Sequence, residues 1–315
     1  MRFRFPALLA LAAAVALAAP TARAAELGAT AQSVLPATTR QIISVNYRRL
    51  STNNLAQRIE GQVLPAEMRN ISDLLARGGV NIHQDLNRLT FATYATGNSI
   101  GLIGVAEGSF EAFQPSRFFA PTPRYPHPPQ YDGVTYYEAN GMEFYLPDSS
   151  TFVFGNAQAI REAIQVQSGA VTSLDNNSSL SDLIDGTESS DVWSVLNAAG
   201  TQGLVMSLAS GATDFNPASL ASHFQGARYT INFSSDVKVN LELMTDDPIS
   251  AGLASTGLRA AVLYKAYQTK NPALKNLLNQ IEVDSAGDDA FLQVESPQSQ
   301  VAALLNSSLF RSIMR

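Results

Sequence analysis

The chain has 315 residues, 45% of them hydrophobic and 15% charged, with no cysteine and a formal net charge of −6. The missing thiol excludes disulfides, thiolate metal sites and the lipid-modified cysteine of a bacterial lipoprotein. An acidic balance with scattered bases argues against a nucleic-acid partner, and the length suffices for one large core or two of ordinary size.

Met1 to Ala24 carries Arg2 and Arg4, an apolar run from Ala7 to Ala19, then Pro20 and the triplet Ala22-Arg23-Ala24. Charged, apolar and A-x-A segments in that order predict that residues 1–24 are a cleaved export signal and that the mature chain is periplasmic or secreted. The apolar run of 13 residues falls short of the roughly 18–20 that span a bilayer. Loss of Arg2, Arg4 and Arg23 from the 21 bases leaves 18 against 27 acids, a mature net charge of −9. No transmembrane segment is expected after cleavage, since Ser255, Thr256, Arg259 and Lys265 interrupt the run Ala251 to Ala266.

Residues 25–39 read as a polar lead-in. Gln41 to Tyr47 is apolar and β-branched, which predicts a first strand. A helix follows, with Leu55, Ile59, Val63, Met68, Ile71, Leu74 and Leu75 at helical spacing, broken or kinked at Pro65 and ended by Gly78-Gly79. Leu89–Tyr94 and Ile100–Glu107 flank Thr96-Gly97-Asn98-Ser99 and predict a hairpin. Strand-like runs at 134–138, 143–146 and 151–154, then a helix from Asn156 to about Val166, complete a first half over residues 40–170.

Residues 171–190, rich in Ser, Asn, Asp and Gly around one apolar turn at Leu180, Leu183 and Ile184, read as a linker. The second half spans 191–308. It begins with a strand at Val192–Leu196, a helical stretch near Pro217 to His223 and a hairpin of 227–233 with 237–244. A long helix from Ile249 to Gln268 and a shorter one from Pro272 to Gln280 come next. A hairpin of 281–284 with 290–295 precedes a last helix, Pro297 to Leu305, behind the N-cap Ser296. Both halves order their elements as strand, helix, hairpin, variable insert, hairpin, helix, which suggests an internal repeat. The fold class that follows is α+β: antiparallel sheets with helices packed on one face, in two similar halves.

Gly79-Val80-Asn81 followed by Asp85-Leu86 and a strand resembles a pattern in a family of exported bacterial proteins of unknown function. The strand-Gly155-helix segment with Ser173-Leu174 and Leu180 fits the same family. The resemblance implies an exported α+β protein and brings no catalytic residues with it.

Gly97-Asn98-Ser99-Ile100-Gly101 matches the G-x-S-x-G nucleophile elbow by letter, yet the elbow needs a strand that turns into a helix. Here a strand follows, so Ser99 is expected in a hairpin turn. Ser235 and Lys238 match S-x-x-K, but in a strand they would face opposite sides. His83, His127 and His223 have no metal-ligand partner at helical spacing, and Asp246-Asp247 and Asp284 to Asp289 lack the pattern of a calcium loop. The sequence therefore implies no metal, cofactor or catalytic set. Trp193, the single tryptophan, alternates with apolar neighbours and is expected in the core.

The segment Gln114 to Asp132 departs most from plain scaffold, with six prolines among Phe118, Phe119, Tyr125, His127 and Tyr131. It reads either as a recognition loop or as an insertion pinned to its own sheet by Phe118 and Phe119. The expected function is an exported, non-enzymatic protein that binds a partner protein or an envelope component, with those five residues as the binding candidates. A serine hydrolase using Ser99 and a purely structural envelope protein are the alternatives. The export reading predicts that N-terminal sequencing of secreted material begins at Ala25, and material that begins at Met1 would refute it.

Overall fold

A computed structural model describes residues 27–52, 66–97, 99–185, 187, 189–208, 221–234 and 236–300. The expected export segment, the helical positions Leu55, Ile59 and Val63 with Pro65, the stretch near Pro217, Ser235 and residues 301–308 of the second half lie outside them.

In chain order the elements are α1 (Ala29–Val34), β1 (Thr39–Val45), α2 (Tyr47–Ser51), α3 (Ala66–Gly78), α4 (Ile82–Asp85), β2 (Leu86–Thr96) and β3 (Ser99–Gly108). Next come β4 (Gln130–Tyr131), β5 (Val134–Thr135), β6 (Tyr137–Ala139), β7 (Met142–Asp148), β8 (Thr151–Gly155), α5 (Ala157–Gln167) and α6 (Ser178–Ile184). The rest of the chain forms β9 (Val192–Asn197), α7 (Ala198–Leu208), β10 (Phe224–Phe233), β11 (Asp236–Thr245), α8 (Pro248–Gln268), α9 (Pro272–Leu278), β12 (Glu282–Ala286) and β13 (Asp289–Pro297). Helix starts are written in side chains that accept the first orphan N–H groups: Asn46, Asn81, Asn156, Asn177, Asp247 and Asn271 each cap the helix that follows. Pro248 and Pro272 occupy first-turn positions, where a missing N–H costs nothing. At the end of α3, Gly79 takes φ +99°, the left-handed conformation that turns the chain away.

Eleven strands form one antiparallel sheet in the order β12-β13-β11-β10-β9-β1-β2-β3-β8-β7-β6. The first half supplies every strand on one side of the β1–β9 seam and the second half every strand on the other. Counted outward from the seam, the strands run β1, β2, β3, β8, β7 on one side and β9, β10, β11, β13, β12 on the other. Between the inner and outer hairpins the first half carries the proline-aromatic insert and the second half carries α8 and α9.

The α+β class with antiparallel strands is what the structure shows. In the second half the helices α7 and α8 cover one face, packing Leu204, Val205, Ala254 and Leu258 against Tyr229, Ile231 and Leu241. The first half differs, because both faces of its strands are apolar. Phe91, Phe152 and Phe154 point toward α3, while Tyr94, Ile103, Val105, Tyr145 and Val153 point the other way and are covered by α1 and α5. Residues 171–190 contain α6, whose buried Leu180, Leu183 and Ile184 join that second cluster beside Trp193. Among the described residues of the expected helical stretch there is a short turn, Ala221–His223, and the helix beside β9 is α7. Gly200 and Gly203 had lowered its apparent propensity.

One buried carboxylate ties the seam to both halves. Asp191 Oδ2 accepts the Phe233 N–H at 2.8 Å, its Oδ1 pairs with Arg49 Nε at 2.8 Å, and its carbonyl accepts the Asn46 N–H. Asp191→Ala is expected to cost about 2–4 kcal/mol in urea unfolding, since it strips Phe233 and Arg49 of their partner. Burial outweighs the Phe233 bond and the Arg49 charge and raises the Asp191 carboxyl above its ordinary value. Its contribution to stability is then full below the ordinary aspartate range and is lost as pH rises through the raised value. Asp191→Asn should abolish that pH step while costing less than Asp191→Ala.

Candidate functional site

The five insert residues reach different places. Phe118 ends a short 3₁₀ turn, Pro115–Phe118, and its ring stacks on Phe113 at 5.5 Å and meets Phe144 edge-on at 5.2 Å. The Arg77 guanidinium lies over its outer side at 5.0 Å. Phe113 can approach α3 so closely because Gly78 has no side chain there; a Cβ would fall 2.1 Å from the ring. Phe119 is half-buried. Tyr131 belongs to the other face: its hydroxyl accepts from Gln165 Nε2 at 2.7 Å, and Arg161 of α5 lies over its ring. The insert thus passes from one face of the sheet to the other around the β6–β7 edge. Between its anchors, Tyr125 is 60% exposed beside Arg124, and His127 is exposed.

Ser99 pairs with Thr96 at the β2–β3 hairpin and opens a strand, so the strand-to-helix geometry of a nucleophile elbow is not formed around it. Asp284 to Asp289 spans the β12–β13 hairpin, with Gly287 at φ +59°. His83 stacks on Tyr47 with centroids 6.2 Å apart.

Folding does bring His223 to the acidic pair at the start of α8, a meeting across 23 residues that local spacing could not reveal. His223 Nδ1 lies 3.0 Å from Asp246 Oδ1 and 3.8 Å from Asp247 Oδ2. Three ligand-type atoms therefore gather within 4.8 Å. Asp247 is already engaged: its Oδ1 accepts the N–H groups of Ile249 and Ser250, and its Oδ2 accepts the Ser250 hydroxyl at 2.6 Å. Those bonds, the Ser250 hydroxyl first, hold its carboxyl down to about 2. The cluster is accounted for as a helix cap buttressed by a histidine.

The most unusual surface belongs to α8. Its inner side is built of small residues, with Ala251, Ala254, Ser255, Gly257 and Ala266 buried alongside Leu258. Its outer side exposes Ile249 (77%), Leu253 (53%), Leu263 (61%) and Tyr267 (87%). Together with Thr256 and Ala260 these positions recur at spacings of four and three, a single stripe along the helix. At 1.5 Å per residue the stripe is about 27 Å long. Its pattern was present in the sequence, masked there because the inner side is apolar as well.

No family model and no curated protein matches the chain. Among solved structures it is similar to TP0453 of Treponema in three crystal forms. Form I shares 14% identity over 90% of this chain and 97% of that one, with a TM-score of 0.44. Form III shares 13% over 87% and 96% at 0.45, and form IV shares 11% over 88% and 96% at 0.46. With TM-scores below one half, these likenesses carry no argument about function.

The anchoring of the insert makes a paired test. Phe118→Ala should destabilise by about 2–4 kcal/mol through loss of a packed ring, while Tyr125→Ala should stay within about 0.5 kcal/mol of wild type, both read by chemical denaturation.

Proposed function

We propose that the mature chain is exported and acts by binding an envelope component rather than by catalysis, with the outer side of α8 as its contact surface. The observation that carries this reading is the stripe Ile249, Leu253, Leu263 and Tyr267, exposed on one helix. Scattered apolar side chains on a surface need no explanation, but a continuous apolar strip on a soluble chain marks an interaction site. The hairpin setting of Ser99 supports the non-enzymatic side of the proposal. A second contact is offered by the middle of the insert, where the exposure of Tyr125 favours recognition by Tyr125 and His127.

The test replaces the four stripe residues together with glutamine, a good helix former. Because those side chains face solvent, the melting temperature should stay within a few degrees of wild type. Wild-type protein should co-sediment with an envelope extract and the fourfold variant should not. Equal sedimentation of the two, or none by either, would refute the contact surface. Stoichiometric labelling of Ser99 by a fluorophosphonate would instead favour the hydrolase alternative.

A further inference from the structure

We infer that the component α8 meets is an anionic phospholipid surface, an inference that rests on the contact reading of α8 above. Charge selects this occupant. From Pro248 to Ile281 the chain has no acidic residue and holds Arg259, Lys265, Lys270 and Lys275, the last three being three of only four lysines in the chain. All four of these bases are exposed. Arg259 is tied back to the Val283 carbonyl, which leaves the lysines at the C-terminal end of α8 and along α9 as the free cations of this region.

The acids nearby are directed elsewhere. Val283 of β12 packs toward the core under α8, so by strand alternation Glu282 and Asp284 lie on the opposite face of the sheet. At the N-terminal end, Asp246 is paired with His223 and Asp247 caps the helix. An apolar stripe followed along the chain by the free Lys270 and Lys275, on a mature chain of net charge −9, is opposite in sign to the chain as a whole.

Other occupants fit less well. A second copy would bring two acid-free, basic regions together across a two-fold axis, where like charges repel. Residues 301–315 carry Arg311 and Arg315 and no acid, so they meet the same repulsion. A peptide helix docks in a groove, whereas here the apolar side chains project from a helix, up to 87% exposure at Tyr267. Projecting apolar groups with lysines nearby suit a helix lying in a lipid interface, its apolar side among the acyl chains and its cations at the headgroups. No helix among the described residues is long and apolar enough to cross a membrane, and this mode requires none.

Purified protein would be mixed with vesicles of phosphatidylcholine alone and of phosphatidylcholine with phosphatidylglycerol. Co-sedimentation is expected with the anionic vesicles only, weakening as salt rises. The triple variant Lys265→Gln, Lys270→Gln and Lys275→Gln should bind about 10- to 100-fold more weakly, at up to roughly fivefold for each lysine near a charged surface. In Tyr267→Trp the new emission should shift to the blue on adding anionic vesicles, while Trp193, 2% exposed, gives a constant background. Equal binding to both vesicle types would overturn the charge argument. Failure to bind either type, with envelope co-sedimentation kept but abolished by protease treatment of the extract, would overturn the lipid inference and leave the contact surface standing. Failure in both assays would remove both. A blue shift without vesicles that grows with protein concentration would point to a second copy and overturn it as well.

Discussion

The antiparallel pairing of β1 with β9, from Gln41 opposite Leu196 to Val45 opposite Val192, is the constraint on which the rest of the molecule depends. These two strands open the two halves of the chain, and their ladder joins the halves into one sheet, extended by the bond from the Asn46 N–H to the Asp191 carbonyl. Both are covered on both faces: Ile43 and Val45 look one way, Ile42 looks the other, and Trp193 and Val195 of β9 join Ile42. A strand buried twice over must be apolar at consecutive positions. That is why Ile42-Ile43 and Val192-Trp193 lack the clean alternation of β10 and β11, whose second face meets α6 at one end, where Leu183 sits over Gly226.

Closing the halves on each other leaves two outer edges, and each is handled differently. At the first-half edge the insert runs around β6 and β7, held on one face by Phe118 in the Phe113–Phe144–Phe152 ring cluster and on the other by Tyr131 against α5. At the far edge, β12 presents Glu282 and Asp284, charges that discourage pairing with another strand. Proline in the insert has the same consequence, since a backbone with few N–H donors cannot extend a ladder. The insert therefore does structural work as an edge cover whatever its exposed middle binds.

Much of this was legible from local pattern. The hairpins at 96–99 and 234–235, the strands of the outer hairpins, the helix after Asn156 and the long helix after Asp247 each announce themselves through turn residues, alternation or a cap. What local pattern could not supply was distance in space. The Ser and Asn content of residues 171–190 signals a connector, yet Leu180, Leu183 and Ile184 find a buried place only because β9 and β10 lie beneath them. His223 and Asp246 are remote in sequence, and their contact exists because antiparallel β10 begins beside the end of β11, with Phe224 opposite Thr245. The helix after β9 was hidden by Gly200 and Gly203, where tertiary packing of Leu204 and Val205 overrides a weak propensity.

The stripe on α8 shows why burial alone does not explain a sequence. Its inner side settles on the sheet with alanine, serine and glycine, so the helix axis can approach closely and the fold asks nothing further of the outer side. Glutamate or glutamine at positions 249, 253, 263 and 267 would satisfy helix propensity as well as the residues that stand there. Apolar side chains held largely in water at four such positions add little to the stability of the isolated chain. The acid-free stretch through residue 281 is equally unneeded for folding, because Lys270 and Lys275 make no ion pair among the described residues. These two features, neither required for folding and both carried by the segment 248–281, are what the proposed contact with an apolar, negatively charged surface rests on.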